Sequence, residues 1–343
     1  MTVDDYKKKL SNFIQSFYYK NGKYLSLKLA LMHLVIRGIP TGKMVFEIGN
    51  GGDGKGMESI LDSSLFGEDN FATLDCGIFT DRMEFRKSCH FGWNKRAIRI
   101  QEFTKSKSIV SDIWKRFISG EPIDSRVNYG FTAKLSFGMS MKIQELNFEN
   151  IPVIEEKSGN NLEYCNQLKR RVICAIVGKG TLVHDEDQVD RSAGRFLYIP
   201  QDELVGFLSD PLTASLYFKL YCIPFFKKYS VTQCKNMVNN LSLIDPQLET
   251  DTVWLAKNLS GVKEYDSVNL SNKPSDVSTQ QMIQDHEKAL ATEMIEHVHS
   301  AMPENLRLIK PYLITLCPYI NVPHGREKGK KGTEKTKKIL KFE

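Results

Sequence analysis

Apolar residues first recur at helical intervals, at Leu10, Phe13, Ile14 and Phe17, and then crowd into a run from Leu25 to Ile36 broken by Lys28 and His33. This pattern predicts a helical N-terminal segment over residues 1–40 whose second helix is buried in a core. Met44 to Ile48 is a continuous apolar stretch of strand length, and Met57, Ile60, Leu61 and Leu65 behind it keep helical spacing. Further on, Ile98 to Phe103, Leu135 to Met139 and Val172 to Val177 read as strands, while Ile109, Val110, Ile113, Trp114 and Phe117 share one helical face. Strands alternating with helices imply an α/β fold, a parallel sheet flanked by helices on both sides. From Leu204 the pattern is helical, including Leu212 to Phe226 and Met237 to Leu243. These boundaries give a core over 41–230, a helical extension over 231–260, a polar linker over 261–280, a C-terminal helical region over 281–320 and a disordered tail over 324–343.

Composition changes the picture in three places. A chain of 343 residues, 41% hydrophobic, can bury a sizeable core. No apolar run approaches the ~18 residues of a membrane span, and the acidic start Met1-Thr2-Val3-Asp4-Asp5 is unlike a signal peptide, so an intracellular protein without membrane contact is expected. Seven cysteines without a C-x-x-C pair fit a reducing compartment and suggest neither a disulfide framework nor a zinc site. The net charge of +6 is mostly one tail: seven lysines and Arg326 against three glutamates leave +5 between His324 and Glu343. That tail reads either as a solvated end or as an arm for polyanions. His286, His297 and His299 lie near Glu293 and Glu296, but without the H-E-x-x-H spacing of a metal helix they read as a polar face.

The most specific chemistry lies in Gly49-Asn50-Gly51-Gly52-Asp53-Gly54-Lys55-Gly56, which meets G-x-x-x-x-G-K-[ST] through Lys55. Glycines let such a loop turn tightly and aim successive N–H groups at one anion, and the positive end of the following helix dipole adds to the attraction. Lys55 would reach the outer phosphates of a nucleotide. Gly56 stands where a Ser or Thr hydroxyl would hold Mg²⁺. An acid at the end of a neighbouring strand should serve that metal or orient the attacking water. Glu102 closes the strand that starts near Ala97, on the carboxyl side where ligands of open α/β sheets gather, and is the candidate metal and catalytic acid. Gln101 occupies the place where a second acid is sometimes found.

Beyond these residues, the run Lys115 to Arg126, then Phe131 and Lys134-Leu135, resembles the region between the Walker B and sensor strands of superfamily 3 helicases, and most closely the poxvirus-type primase-helicase NTPases of viruses, phages and plasmids. The likeness covers about Leu25 to Tyr229. It implies an AAA+-like P-loop NTPase that assembles as a ring, usually a hexamer, uses ATP and Mg²⁺, and moves along a single DNA strand in its channel during replication of a virus or mobile element. Separate primase or replication proteins would be partners. No primase-like region precedes residue 25, so the chain would carry the motor half alone or be a fragment.

Carried over residue by residue, the resemblance makes Gly49, Gly54 and Lys55 the Walker A loop and Glu102 the Walker B acid. Arg126 and Lys134 fall in the basic region that contacts DNA. Ser140 stands where the family places a sensor Asn, and cannot offer an amide's donors and acceptor together. Lys169-Arg170-Arg171 matches the position of an arginine finger given to the neighbouring subunit, with the choice between Arg170 and Arg171 open. Three readings follow: an ATP-driven helicase; a degenerate P-loop protein that binds nucleotide or DNA with little turnover, favoured by Gly56 and Ser140; and a small-molecule kinase, which leaves the 115–171 run unexplained.

Overall fold

The computed structural model describes residues 2–103, 109–126, 132–155, 161–178 and 180–261. Five parallel strands form the central sheet: β1 (Met44–Gly49), β2 (Phe71–Leu74), β3 (Ala97–Ile100), β4 (Met141–Asn147) and β5 (Val172–Ile176), in the order β2-β3-β4-β1-β5. Around them run helices α1 (Val3–Phe17), α2 (Gly22–Ile36), α3 (Lys55–Phe66), α4 (Arg82–Ser88), α5 (Ser111–Ser119), α6 (Asn161–Lys169), α7 (Gln201–Ser209), α8 (Pro211–Tyr217), α9 (Ile223–Lys228), α10 (Val231–Asn239) and α11 (Pro246–Leu259). Among the described residues no helix is long and apolar enough to cross a membrane.

Alternation along the strands sorts the core into two layers. Val45, Ala97, Met141, Ile143, Ile173 and Ala175 point to the side covered by α1, α2, α3 and α7–α10. Phe46, Ile48, Ile98, Ile100, Leu146 and Cys174 point to the other, against Trp114 and Phe117 of α5, Leu168 of α6 and Leu255 of α11. Both faces are covered, as a parallel sheet requires. Edge strand β5 is covered too, where Cys174 N–H donates to Thr252 Oγ1 on α11 at 3.0 Å. Local chemistry fixes the ends of α1 and α2. Thr2 and Asp5 form a reciprocal capping box at the start of α1. Asn21, just before α2, donates its side-chain amide to Ile176 O at 2.8 Å and ties that helix to β5.

Helix α2 is buried around its whole circumference, Lys28 and His33 included. Lys28 is accommodated by an ionic cluster on the α3 side of the sheet. Arg99 of β3 donates to Glu47 of β1 and to Glu58 and Asp62 of α3, and Lys28 meets Glu58 and, at 2.7 Å, Asp62. Tyr18 and Tyr24 donate their hydroxyls to Glu58 and Glu47. Burial opposes ionisation of Glu58, but Lys28 and Arg99 outweigh it and hold its carboxyl far below the usual range. Burial pushes the Glu47 carboxyl well up, against the pull of Arg99 and Lys28.

Two sequence expectations need correction. The apolar run Leu135 to Met139 is not a strand of the sheet: Leu135 ends a short antiparallel hairpin, Ile123–Arg126 with Thr132–Leu135, and Phe137 plugs the core below it. Gly138 then passes so close to Gly120 that a Cβ at 120 would sit 2.3 Å from Gly138 Cα, a contact that needs glycine. The strand that pairs β1 with β3 begins after this turn, at Met141. Its Lys142, Gln144 and Glu145 hid it from an apolar pattern. Ile109 and Val110, expected on one helical face with Ile113 to Phe117, instead form a two-residue strand ahead of α5. Of the helical extension, α10 lies on α2, and α11 on β5 and α6. The linker, the C-terminal helix with its histidines, and the basic tail lie outside the described residues.

Candidate functional site

Strand β1 ends at Gly49, and the chain turns through Asn50 to Gly54 into α3, whose first residue is Lys55. Gly52 and Gly54 have φ of +87° and +85°, which lets the loop coil back over the amino end of the helix. Asp53 holds this shape. Its carboxylate accepts from Asn50 N–H and lies against Gly49 and Gly178, where a Cβ would strike it. Burial pushes the Asp53 carboxyl up, opposed by the Asn50 hydrogen bond and Lys55.

Beyond the loop opens a cavity of about 420 Å³. Lys55, Glu102, Glu145 and Asn147 give it a charged end beside the glycine loop. Its remaining walls mix apolar Phe13, Phe17 and Leu204 with polar Asn12, Ser16 and Gln201, and Phe17 lies close against Gly54 of the loop.

At the charged end Asn147, the last residue of β4, joins the two candidate catalytic groups. Its side-chain Oδ1 accepts from Lys55 Nζ at 2.9 Å, and its backbone N–H donates to Glu102 Oε1 at 3.2 Å. Lys55 also donates to Asn50 O at 2.9 Å, and Glu102 Oε1 accepts from Asn150 Nδ2 at 2.6 Å. Lys55 and Glu102 thus share one cavity at the carboxyl ends of β1 and β3. An added Cβ on Gly56 would meet nothing within 4 Å among the described residues.

Ser140 is elsewhere. It lies just before β4, at the opposite end of that strand from Asn147, roughly 23 Å away at about 3.3 Å per residue. It is buried, and its hydroxyl donates to Lys95 O at 2.6 Å. The expectation placed it one strand length too early because Leu135 to Met139 was taken for β4. Asn147 is the residue that reading missed, and its signal is a strand ending in Asn beside the acid-bearing strand, visible only if buried polar residues are allowed in between.

Arg170 and Arg171 sit before β5, at the amino end of the sheet and so away from this chain's own loop. Arg171 donates to Ser119 Oγ at 3.2 Å and Gln167 O at 3.1 Å, whereas Arg170 is exposed. Lys134 is exposed on the hairpin opposite Asp124, and Arg126 pairs with Thr132 there. The hairpin tip, 127–131, lies outside the described residues.

A divalent cation fits the donor set of the cavity. Glu102 and Glu145 offer hard oxygen donors in the same cavity as Lys55, and no group of three or more His, Cys, Asp or Glu able to hold a metal ion occurs among the described residues. Mg²⁺ suits such thin protein ligation, because it keeps several waters and binds through one or two carboxylates plus phosphates.

No protein-family model matches the chain, and no curated protein does. Solved structures match it. The A form apo structure of the NrS-1 C-terminal region shares 16% identity over 82% of this chain and 61% of its own length, at a TM-score of 0.43. Another apo structure of that region shares 15% over 77% of this chain and 73% of its own, at 0.38. The JCV helicase structure shares 9% over 74% and 66%, at 0.38. The chain spans 61% of the first of these, and all three scores fall below 0.5.

Proposed function

We propose that this chain is a P-loop NTPase that hydrolyses ATP to drive a helicase of the superfamily 3 kind on DNA. The observation that carries the reading is the double role of Asn147, which hydrogen-bonds Lys55 through its side chain and Glu102 through its backbone inside one cavity. The phosphates lie along the loop amides at the amino end of α3, and Lys55 turns its ammonium to them. Mg²⁺, when bound, neutralises the charge between the outer phosphates. Glu102, with one oxygen fixed by Asn147 and Asn150, directs the other at the attacking water. Asn147 takes the sensor role first assigned to Ser140. The nucleobase packs against the walls that α1 and Leu204 give the cavity, with Phe13 and Phe17 as its apolar contacts.

Arg170 is the better arginine finger, because Arg171 is committed to its own subunit. Its distance from this chain's loop requires a neighbour in a ring. Lys134 and Arg126 place positive charge on the hairpin for a phosphate backbone. Replication of a virus or mobile element is the setting that the family resemblance suggests.

A second reading, a binder without turnover, is favoured by two departures at the metal site: Gly56 lacks the hydroxyl, and Gln101 is no acid. DNA-stimulated ATPase activity separates the two. Wild-type activity that is lost in Lys55→Ala and in Glu102→Gln supports the motor. An inert wild type that Gly56→Ser revives supports the second reading, since the space beside Gly56 admits serine. An inert wild type with no nucleotide binding overturns both.

A further inference from the structure

The two departures at the metal site raise the question of what replaces the missing ligands. In the cavity a second carboxylate answers Glu102 from the neighbouring strand. Glu145 lies two residues before Asn147 on β4, so the two side chains share one face of the sheet. It lines the same end of the cavity as Lys55, Gly56 and Glu102, and its side chain is 19% exposed, the only member of the Arg99 cluster that reaches this space among the described residues. Arg99 Nη1 stands 3.5 Å from one of its oxygens and restrains its direction. Gln101, where a second acid is sometimes found, is exposed and does not line the cavity.

We infer that Glu145 is the second acid of the metal–nucleotide site, a positioning residue that orders the water shell of Mg²⁺ in place of the groups absent at Gly56 and Gln101. The inference rests on the nucleotide reading given above. Its chemistry is that of a hydrated cation. With no hydroxyl at 56, one more water stays on the metal, and that water needs an anionic acceptor fixed by the protein. Glu145 pairs in register with Glu47 on the sheet face that carries α3 and lines the same cavity as Gly56, where an added Cβ meets nothing within 4 Å among the described residues. The guanidinium of Arg99 ties it to Glu47 and to Glu58 of α3, so the acceptor moves with the helix that begins at Lys55.

The test is binding of a fluorescent ATP analogue to the full chain, titrated with Mg²⁺ and repeated in EDTA. Glu145→Gln is expected to bind the metal-free analogue at least as well as wild type, yet to need roughly tenfold more Mg²⁺ for half of the metal-dependent gain. Adding Gly56→Ser to Glu145→Gln should bring the Mg²⁺ midpoint back toward wild type by restoring a direct ligand. An unchanged midpoint in Glu145→Gln overturns the inference. So does an equal loss of binding with and without metal, which is what a merely structural residue would give. Should Glu145→Gln fail to fold by circular dichroism, Glu145→Asp carries the same comparison, with a shifted midpoint and unchanged metal-free binding expected. A wild type that binds no analogue in either condition sinks the nucleotide reading itself, and this inference with it.

Discussion

Lys28 and Lys142 are each 1% exposed, on opposite faces of the same sheet, and they live in opposite electrostatic worlds. Lys28 meets Glu58 and Asp62; burial alone would strip its proton, but the two carboxylates more than compensate and its ammonium is held above the ordinary lysine range. Among the described residues Lys142 finds only the carbonyls of Ile118 and Ser140, each at 3.3 Å, and the ring of Phe117. Burial pushes it down to about 7. Equal depth gives opposite outcomes because the partners differ, a formal charge in one case and dipoles in the other.

Arg99→Met should break the contrast most severely. Glu58, Asp62 and Glu47 would lose their common cation in a dry site, and chemical denaturation should show a loss of about 3–5 kcal/mol or failure to fold. A loss under about 1 kcal/mol would mean that the cluster is hydrated. The two lysines sharpen the comparison directly. Lys28→Met should cost about 3 kcal/mol, while Lys142→Met should gain about 1–3 kcal/mol at pH 7 by removing an unpaired buried amine. Changes of the same sign would sink the distinction.

The titration of Lys142 gives the next effect. Its folded value, about 7, lies below the ordinary 10.5, so the unfolded chain binds the extra proton between those limits. The contribution of this group to stability therefore rises with pH from 7 upward and is lowest below 7. Across pH 7 to 9 the advantage of Lys142→Met over wild type should shrink by roughly 2 kcal/mol, since each pH unit is worth at most about 1.4 kcal/mol per proton. Parallel stability curves for the two proteins would contradict this. The smallest change is Glu47→Gln. Burial favours the neutral form of this carboxyl, with which an amide is nearly isosteric, and thermal unfolding should place this variant within about 1 kcal/mol of wild type. A larger loss would mean that Glu47 is ionised in the fold.

The same chemistry explains which parts of the structure were legible in the sequence. Strand β1, its glycine loop and α3 could be read because an apolar run, flexible residues and a helical repeat follow in the order their geometry demands. Strand β4 could not, because Lys142 and Gln144 are buried there and Glu145 half-buried, each with specific partners: Gln144 donates to the carbonyls of Ile100, Gln101 and Glu145. Strand β2 also escaped, its exposed Thr73 and short length giving too weak a pattern. Reading Leu135 to Met139 as a sheet strand shifts the expected strand end from Asn147 to Ser140. The candidates Lys55 and Glu102 are legible because each ends or follows a clean apolar strand, whereas Glu145 lies on a polar strand that hides it.

Asp53 serves as both strut and repellent. The carboxylate that braces the loop, gripping Asn50 N–H and filling the gap between Gly49 and Gly178, puts a negative group in the wall that a polyanion must approach. Conformational order in the loop is thus obtained at the expense of attraction for an anion. Asp53→Asn, which keeps the shape and drops the charge, should tighten nucleotide affinity in a calorimetric titration, and weaker binding would show that the brace counts for more than the field.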